Sequence, residues 1–218
     1  MEQAQEMETF QKIENTDISN AVSEIPKFDI PKSMEQLAPP DAVQTEMIAE
    51  AVKDMGSFEF GQWEKLSPEE RISAVQQLEN KVAEIEMRPP MQVSIQDLGD
   101  GYYGYQDYAN GSIVINSDLM ASKEYKDYYE VLDTLFHEGR HAYQFTNVFG
   151  HATEQNSELV EAWRINLVDL GYESGKSGIL DFRNLGFKRY LAQPIEVDAR
   201  VFAEDVMKQI GITRGGNV

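Results

Sequence analysis

The chain has 218 residues, with 19 Lys and Arg against 38 Asp and Glu, so its formal charge is −19 at neutral pH. This acidic surplus argues against binding to nucleic acid or to an anionic membrane surface, because both interactions depend on Lys and Arg. The sequence contains no cysteine, which excludes disulfides, thiolate metal ligands and a cysteine nucleophile.

Residues 1–40 are predicted to form a flexible acidic arm or linker, since they combine four prolines with few large apolar residues. The acidic N-terminus lacks the apolar segment of a secretory signal, and no run of about 18 apolar residues predicts a membrane span. We therefore expect a cytoplasmic protein, or one exported by a route that reads no such signal.

Residues 41–218 are predicted to form one domain that begins with two helices. Apolar residues recur at helical spacing from Asp41 to Gly56. The second helix has a clear start, because Ser67 is followed by a proline and by Glu70, the pattern of a capping box. Its apolar stripe ends before Pro89.

The next part of the chain indicates strands. Apolar and polar residues alternate from Met91 to Gln96 and again around Tyr103 and Tyr105, and Asn110-Gly111 is a typical tight-turn pair before Ser112 to Asn116. These patterns predict a small antiparallel sheet of three strands. Most of the chain after this sheet is predicted to be helical, so the fold class is α+β.

The chemically informative motif is HExxH, formed by His137, Glu138 and His141. On a helix the two histidines lie one turn apart on one face, where both imidazoles can bind a single metal ion. Glu138 lies within reach of a water on that ion and can act as general base. The plainer alternative is a surface helix whose two histidines bind nothing.

A catalytic zinc needs a third protein ligand, and two glutamates are candidates. Glu161 follows His141 by 20 residues, whereas Glu196 follows it by 55 and stands just after Pro194, a residue that favours a helix start. Asp198 is a weaker candidate, or an outer partner for a ligand histidine.

The segment HEGRHAYQ, His137 to Gln144, resembles the zinc-binding helix of HExxH metallopeptidases, the zincins. The segment YLAQPIEVDARVFA, Tyr190 to Ala203, is similar to a helix of metallopeptidase-like domains in bacterial and phage-borne proteins, including some polymorphic toxins. In such domains this helix commonly supplies the third ligand. The resemblance covers residues 65–208.

The resemblance implies a zincin-like, gluzincin-like fold, mostly helical, with a small antiparallel sheet beside the metal-binding helix. His137, His141 and Glu196 would be the ligands of Zn2+, and Glu138 the base. Glu161 has the spacing of thermolysin-type enzymes, but Ile165 stands where an acidic residue would be expected.

A metallopeptidase that cleaves a protein or peptide substrate is therefore the leading hypothesis. Tyr190, or alternatively His151, is a candidate donor to the oxyanion, and Ser112 to Asn116 is a candidate edge strand for an extended substrate. Arg140 and Gln144 are expected to tie the metal helix to its neighbours.

Two alternatives remain at the level of the sequence. One is a non-catalytic acidic binding or inhibitor protein that engages a basic partner through its charge of −19. The other is a pseudoenzyme that keeps a structural zinc. The oligomeric state is left open.

Overall fold

The structure, a computed structural model, describes residues 37–172 and 185–216. Within these ranges it is a mixed α+β fold in which helices predominate, as predicted. The elements in chain order are α1 (Asp41–Met55), α2 (Phe60–Trp63), α3 (Pro68–Ile85), β1 (Gln92–Gln96), β2 (Gly104–Asp107), β3 (Ser112–Asn116), α4 (Ser117–Ala121), α5 (Tyr125–Phe149), α6 (Ser157–Arg164), α7 (Leu185–Leu191) and α8 (Pro194–Ile210). A π-helical turn, Ile165–Asp169, follows α6.

The start of α3 follows the predicted capping box. The Ser67 hydroxyl accepts a hydrogen bond from the backbone N–H of Glu70, and the Glu70 carboxylate accepts one from the backbone N–H of Ser67. Together with Pro68 in the first helical turn, this arrangement defines where the helix begins.

The sheet has the strand order β1-β3-β2 and is mixed, so the prediction of an antiparallel sheet is wrong for one of its two strand pairs. β2 pairs antiparallel with β3, but β1 pairs parallel with β3, with Val93 opposite Ile113. β1 and β2 do run in opposite directions. They are not neighbours, however, because after the turn at Asn110-Gly111 the chain returns as β3 into the space between them.

This order changes which strand is available for pairing with a substrate. β3, the strand predicted for that role, has a partner on each side, and all five of its residues are buried. The prediction for Ser112 to Asn116 is therefore wrong. Among the strands that the structure describes, β1 and β2 are the two edges, and β2 lies against α5.

The main core lies between the sheet and helices α3, α5 and α8. Trp63 is fully buried in it, and Phe60 packs against it from the edge. A second, smaller cluster contains Ala38, Tyr143, Trp163 and Ile195. Helix α5 contributes to both clusters, which fixes its position between α3 and α8.

Residues 1–36 of the predicted arm lie outside the described residues. Its last part, residues 37–40, lies against the body of the domain. Ala38 is buried, its N–H donates to the carbonyl of Thr153 at 2.9 Å, and its own carbonyl accepts from the Gln155 side chain at 2.7 Å. The packed body therefore begins before Asp41.

Across the two described ranges, no helix combines the length and the apolar character needed to cross a lipid bilayer.

Candidate metal centre

The two histidines of the motif lie one turn apart on α5, the 25-residue helix that carries HExxH. Their Nε2 atoms are 3.1 Å apart. The side chain of His141 is buried, whereas that of His137 is 21% exposed. The ring of His141 is thus enclosed by the core, and the ring of His137 is partly exposed at the surface.

Glu196 completes the cluster from α8. Pro194 stands in the first turn of this helix and places Glu196 close to its N-terminus, with a side chain that is only 1% exposed. One carboxylate oxygen, Oε2, is 3.4 Å from Nε2 of His137, and the other, Oε1, is 3.4 Å from Nε2 of His141. A nitrogen from each ring and a carboxylate oxygen thus converge on one point.

The spacing of these atoms fits a metal ion. A tetrahedral zinc with bonds of 2.0–2.1 Å separates its ligand atoms by about 3.3 Å. The two Nε2 atoms are 3.1 Å apart, and each lies 3.4 Å from a different oxygen of the Glu196 carboxylate. A carboxylate and two imidazoles are also a donor set that zinc favours. The buried cluster of His137, His141 and Glu196 could therefore hold a metal ion.

The other candidates for the third ligand lie elsewhere. Glu161 is an exposed residue of α6, where it forms an ion pair with Arg164 at 2.8 Å. Asp198 forms an ion pair with Arg140 at 2.9 Å and is not among the residues of the cluster. His151 is exposed in the segment after α5.

His141 has an outer partner, but the partner is Gln144 and not Asp198. Nδ1 of His141 lies 2.8 Å from Oε1 of Gln144, and Nε2 of Gln144 donates to Asp198 at 2.7 Å. Asp198 therefore acts on the histidine through an intervening amide. The sequence does carry a signal for this contact, since residues three apart on a helix lie on the same face.

Glu138 is held by the edge of the sheet. Its Oε2 accepts a hydrogen bond of 2.9 Å from the backbone N–H of Gln106, in β2. This contact depends on a close approach of β2 to α5 at Gly104, where a Cβ atom would lie 2.6 Å from Cγ2 of Thr134 and would also collide with the carbonyl of Val114. Sequence reasoning missed this role of Gly104.

The opposite side of the motif packs on a buried cluster of ions that we call the Arg88 cluster, made of Arg88, Glu79 and Glu86. Arg88 donates to both carboxylate oxygens of Glu79, at 2.7 and 3.0 Å, and to Glu86 at 2.6 Å. Gly139 faces it, and a Cβ atom there would lie 3.0 Å from Nη2 of Arg88. The glycine inside the motif thus allows α5 to lie close to α3.

Tyrosines surround the carboxylate of Glu196. Tyr172, which sequence reasoning missed, donates its hydroxyl to Oε1 of Glu196 at 2.6 Å. Tyr190, the predicted oxyanion donor, lies within hydrogen-bonding reach of the same carboxylate, and its ring contacts that of Tyr172. Burial and the charge of Glu196 raise the pKa of both phenols, so both keep their protons at neutral pH.

The ligand residues also influence one another's protonation. Burial by itself would raise the pKa of Glu196, but hydrogen bonds to His137 and His141 outweigh it and hold that pKa below its ordinary value. Burial by itself would lower the pKa of His141, but Glu196, Glu138 and Gln144 raise it to about 9. Because Nδ1 faces Gln144, the second proton of His141 lies on Nε2, where a metal would bind.

No protein-family model, curated protein or solved structure matches this chain.

Proposed function

We propose that the protein is a zinc-dependent hydrolase, a metallopeptidase with a zincin-like fold that cleaves an amide bond in a protein or peptide. The observation that carries this proposal is the cluster of His137, His141 and Glu196. Glu138 follows the first histidine, and its carboxylate accepts a hydrogen bond from a backbone N–H of β2. A structural metal site would not need that additional carboxylate.

A zinc ion in this cluster would supply Lewis acidity, polarising the scissile carbonyl and lowering the pKa of water. Glu138 then acts as the general base. Since its Oε2 is engaged by the N–H of Gln106, Oε1 serves as the proton acceptor. It takes a proton from the water that attacks the carbonyl carbon and delivers it to the nitrogen of the departing amine.

The edge of β2 that faces away from β3 is proposed to support an extended substrate. The N–H of Gln106 points away from β3 toward Glu138, so a peptide added along this edge would pass directly over the general base. Strand addition of this kind uses backbone hydrogen bonds and leaves side chains to set specificity. Tyr190 is proposed to donate to the oxyanion that forms on the carbonyl.

The first test is the metal content of the purified protein, measured by inductively coupled plasma mass spectrometry. We expect close to one zinc per chain in the wild type, loss of zinc in Glu196→Ala, and full zinc in Glu161→Ala. Glu161→Ala is a matched control, because it removes a glutamate that lies on α6 and pairs with Arg164 instead of contacting the two histidines.

The second test is hydrolysis of a mixed peptide library by the wild type and by Glu138→Gln. The amide cannot accept the proton, so we expect Glu138→Gln to keep its zinc and to lose activity. Zinc with unchanged activity would refute Glu138 as the base. Zinc without activity in the wild type would indicate a pseudoenzyme, and a wild type without zinc would favour an acidic binding protein.

A further inference from the structure

Gln144 is a fully buried amide whose orientation is fixed by its neighbours. Its Nε2 lies 2.7 Å from Oδ2 of Asp198 and 2.9 Å from the backbone carbonyl of Ile195. Both of these atoms can only accept hydrogen bonds, the aspartate because it is paired with Arg140. The NH2 group of the amide must therefore face them, and Oε1 must face His141.

The orientation of the amide determines the state of the histidine. Oε1 of Gln144 lies 2.8 Å from Nδ1 of His141, and an amide oxygen can only accept. Nδ1 must then carry a proton, which leaves Nε2 as the nitrogen that can bind a metal. We infer that Gln144 is a positioning residue that selects the His141 tautomer and aims Nε2 at the metal, an inference that rests on the proposed metal centre.

Asp198, which accepts from the Gln144 amide, is itself held by an ion pair with Arg140. Arg140 donates to both oxygens of Asp198, at 2.9 and 3.2 Å, and also to Asp41 at 2.9 Å. Its guanidinium is buried and lies over the rings of Tyr143 and Trp163. Asp198 is thus held in place by Arg140 while it accepts the hydrogen bond from Gln144.

The same amide also connects the two helices that carry ligands. Gln144 and His141 belong to α5, whereas Ile195 and Asp198 flank Glu196 on α8. A shift of one helix along the other would break the contacts of Gln144 before it separated the ligands. The relay from His141 through Gln144 to Asp198 therefore keeps the rings and the carboxylate in register.

A plain tether between α5 and α8 is the competing explanation, and the ion pair of Arg140 with Asp198 could provide such a tether without any effect on the histidine. Two variants separate these roles. Gln144→Met keeps the length of the side chain but removes the acceptor for Nδ1. Asp41→Asn leaves Gln144 and Asp198 unchanged but removes the other carboxylate that pairs with Arg140.

Affinity for Zn2+ is measured with a competing chelator. We expect Gln144→Met to lose about 10- to 100-fold in zinc affinity, the range found for outer partners of metal-bound histidines. Asp41→Asn should lower the melting temperature while its zinc affinity stays within about threefold of wild type, a small part of that range, because Asp41 contacts Arg140 and not Gln144. Thr146→Val is the matched control, since its hydroxyl bonds the Ala142 carbonyl on the same helix, outside the relay.

Nitrogen-15 spectra of the histidine side chains in zinc-saturated protein supply a readout that a tether would not change. The wild type should show a protected Nδ1–H and zinc on Nε2 of His141, and Gln144→Met should lose the protected Nδ1–H. If Gln144→Met does not fold, Gln144→Leu is used, which also removes the acceptor and should lose the same signal.

Two results would overturn the inference in distinguishable ways. Wild-type zinc affinity in folded Gln144→Met, or in folded Gln144→Leu, together with an unchanged Nδ1–H, would remove the role of Gln144 and leave the metal centre intact. A wild type that binds no Zn2+ at neutral pH would overturn both the inference and the proposed function.

Discussion

The backbone N–H of Gln106 donates a hydrogen bond of 2.9 Å to the Glu138 carboxylate, which joins the free edge of the sheet to the residue beside the histidine pair. The bond requires β2 to lie almost in contact with α5. Gly104 permits this approach at Thr134, one helical turn before Glu138. The position of the proposed general base is therefore set by a glycine in another element.

We expect Gly104→Ala to lower kcat/KM for a cleaved peptide by at least about tenfold, because the added methyl group pushes β2 away from α5 and misplaces Glu138. Zinc content should stay at the wild-type level, since neither ligand helix contains Gly104. Peptide hydrolysis and metal analysis of the same preparation check both parts. Gly61→Ala is the control, as a Cβ atom there meets nothing within 4 Å; equal activity in both variants would contradict the prediction.

A substitution inside the motif should act on stability. In Gly139→Ala the new methyl group would lie 3.0 Å from Nη2 of Arg88, whose guanidinium is held by two hydrogen bonds to Glu79. Overpacking of this kind costs about 1–3 kcal/mol, which exceeds the gain of up to about 1 kcal/mol from replacing glycine in a helix.

Urea unfolding is the measurement for Gly139→Ala, with Gly61→Ala again as the reference glycine in a helix. We expect a lower free energy of unfolding for Gly139→Ala and an equal or higher one for the reference. A Gly139→Ala protein more stable than wild type would mean that the Arg88 cluster yields to the methyl group.

The Arg88 cluster also predicts a pH dependence of stability. Burial raises the pKa of Glu86 from 4.5 to about 7, because the nearby arginines only partly offset the loss of hydration. A carboxyl whose pKa is raised on folding stabilises the protein most at low pH, and this contribution is lost as the pH rises through about 7. The shift corresponds to about 3 kcal/mol.

Glu86→Gln removes this titration and keeps an oxygen that can accept from Arg88. We therefore expect the stability of Glu86→Gln relative to wild type to rise by about 3 kcal/mol between pH 5 and pH 8, measured by urea unfolding at fixed zinc content. A difference that is the same at both pH values would show that Glu86 does not titrate in this range.

Zinc binding should depend on pH through His141, whose pKa is about 9 in the metal-free protein because Glu196, Glu138 and Gln144 outweigh burial. Below that pH a proton occupies Nε2 and must leave when zinc binds. The apparent affinity should therefore rise about tenfold per pH unit between pH 6 and 8. Chelator competition, corrected for protonation of the chelator, measures this slope, and a flat profile would contradict it.

Replacing either of the two tyrosines beside Glu196 with phenylalanine should affect a different property of the protein, either its kcat or its affinity for zinc. We expect Tyr190→Phe to lower kcat by about 10²- to 10³-fold with zinc retained, the effect of losing one oxyanion donor. Tyr172→Phe should mainly lower zinc affinity, because the hydroxyl of Tyr172 donates a hydrogen bond of 2.6 Å to the carboxylate of Glu196. Single-turnover hydrolysis and zinc titration of both variants test the assignment, and the reverse pattern would assign the oxyanion role to Tyr172.

Several features followed from the sequence alone because their physical causes are local. The capping box of Ser67 and Glu70 needs only four consecutive residues. The pairing of His137 with His141 needs only the helical repeat. The hairpin between β2 and β3 also forms where the sequence indicates a turn, since Asn110 and Gly111 are the last two of its four loop residues, 108–111.

Other features required the packed chain. The sequence left Glu161 and Glu196 open as third ligand, and only the packing of α8 on α5 distinguishes them, since Glu196 meets the histidines and Glu161 pairs with Arg164. The parallel pairing of β1 with β3 could not be predicted from the sequence of β1. An edge strand has the same alternation of apolar and polar residues whether it pairs parallel or antiparallel.

The sequence by itself determined the residue types of the candidate site and the helix that presents two of them. The spacing of the two histidines in HExxH is enough to place them on one face of a helix. Tertiary structure decided that Glu196 meets the two histidines and that β2 is the strand that reaches Glu138. Both depend on contacts between residues at least 32 positions apart in the chain, where no sequence repeat specifies which residues will meet.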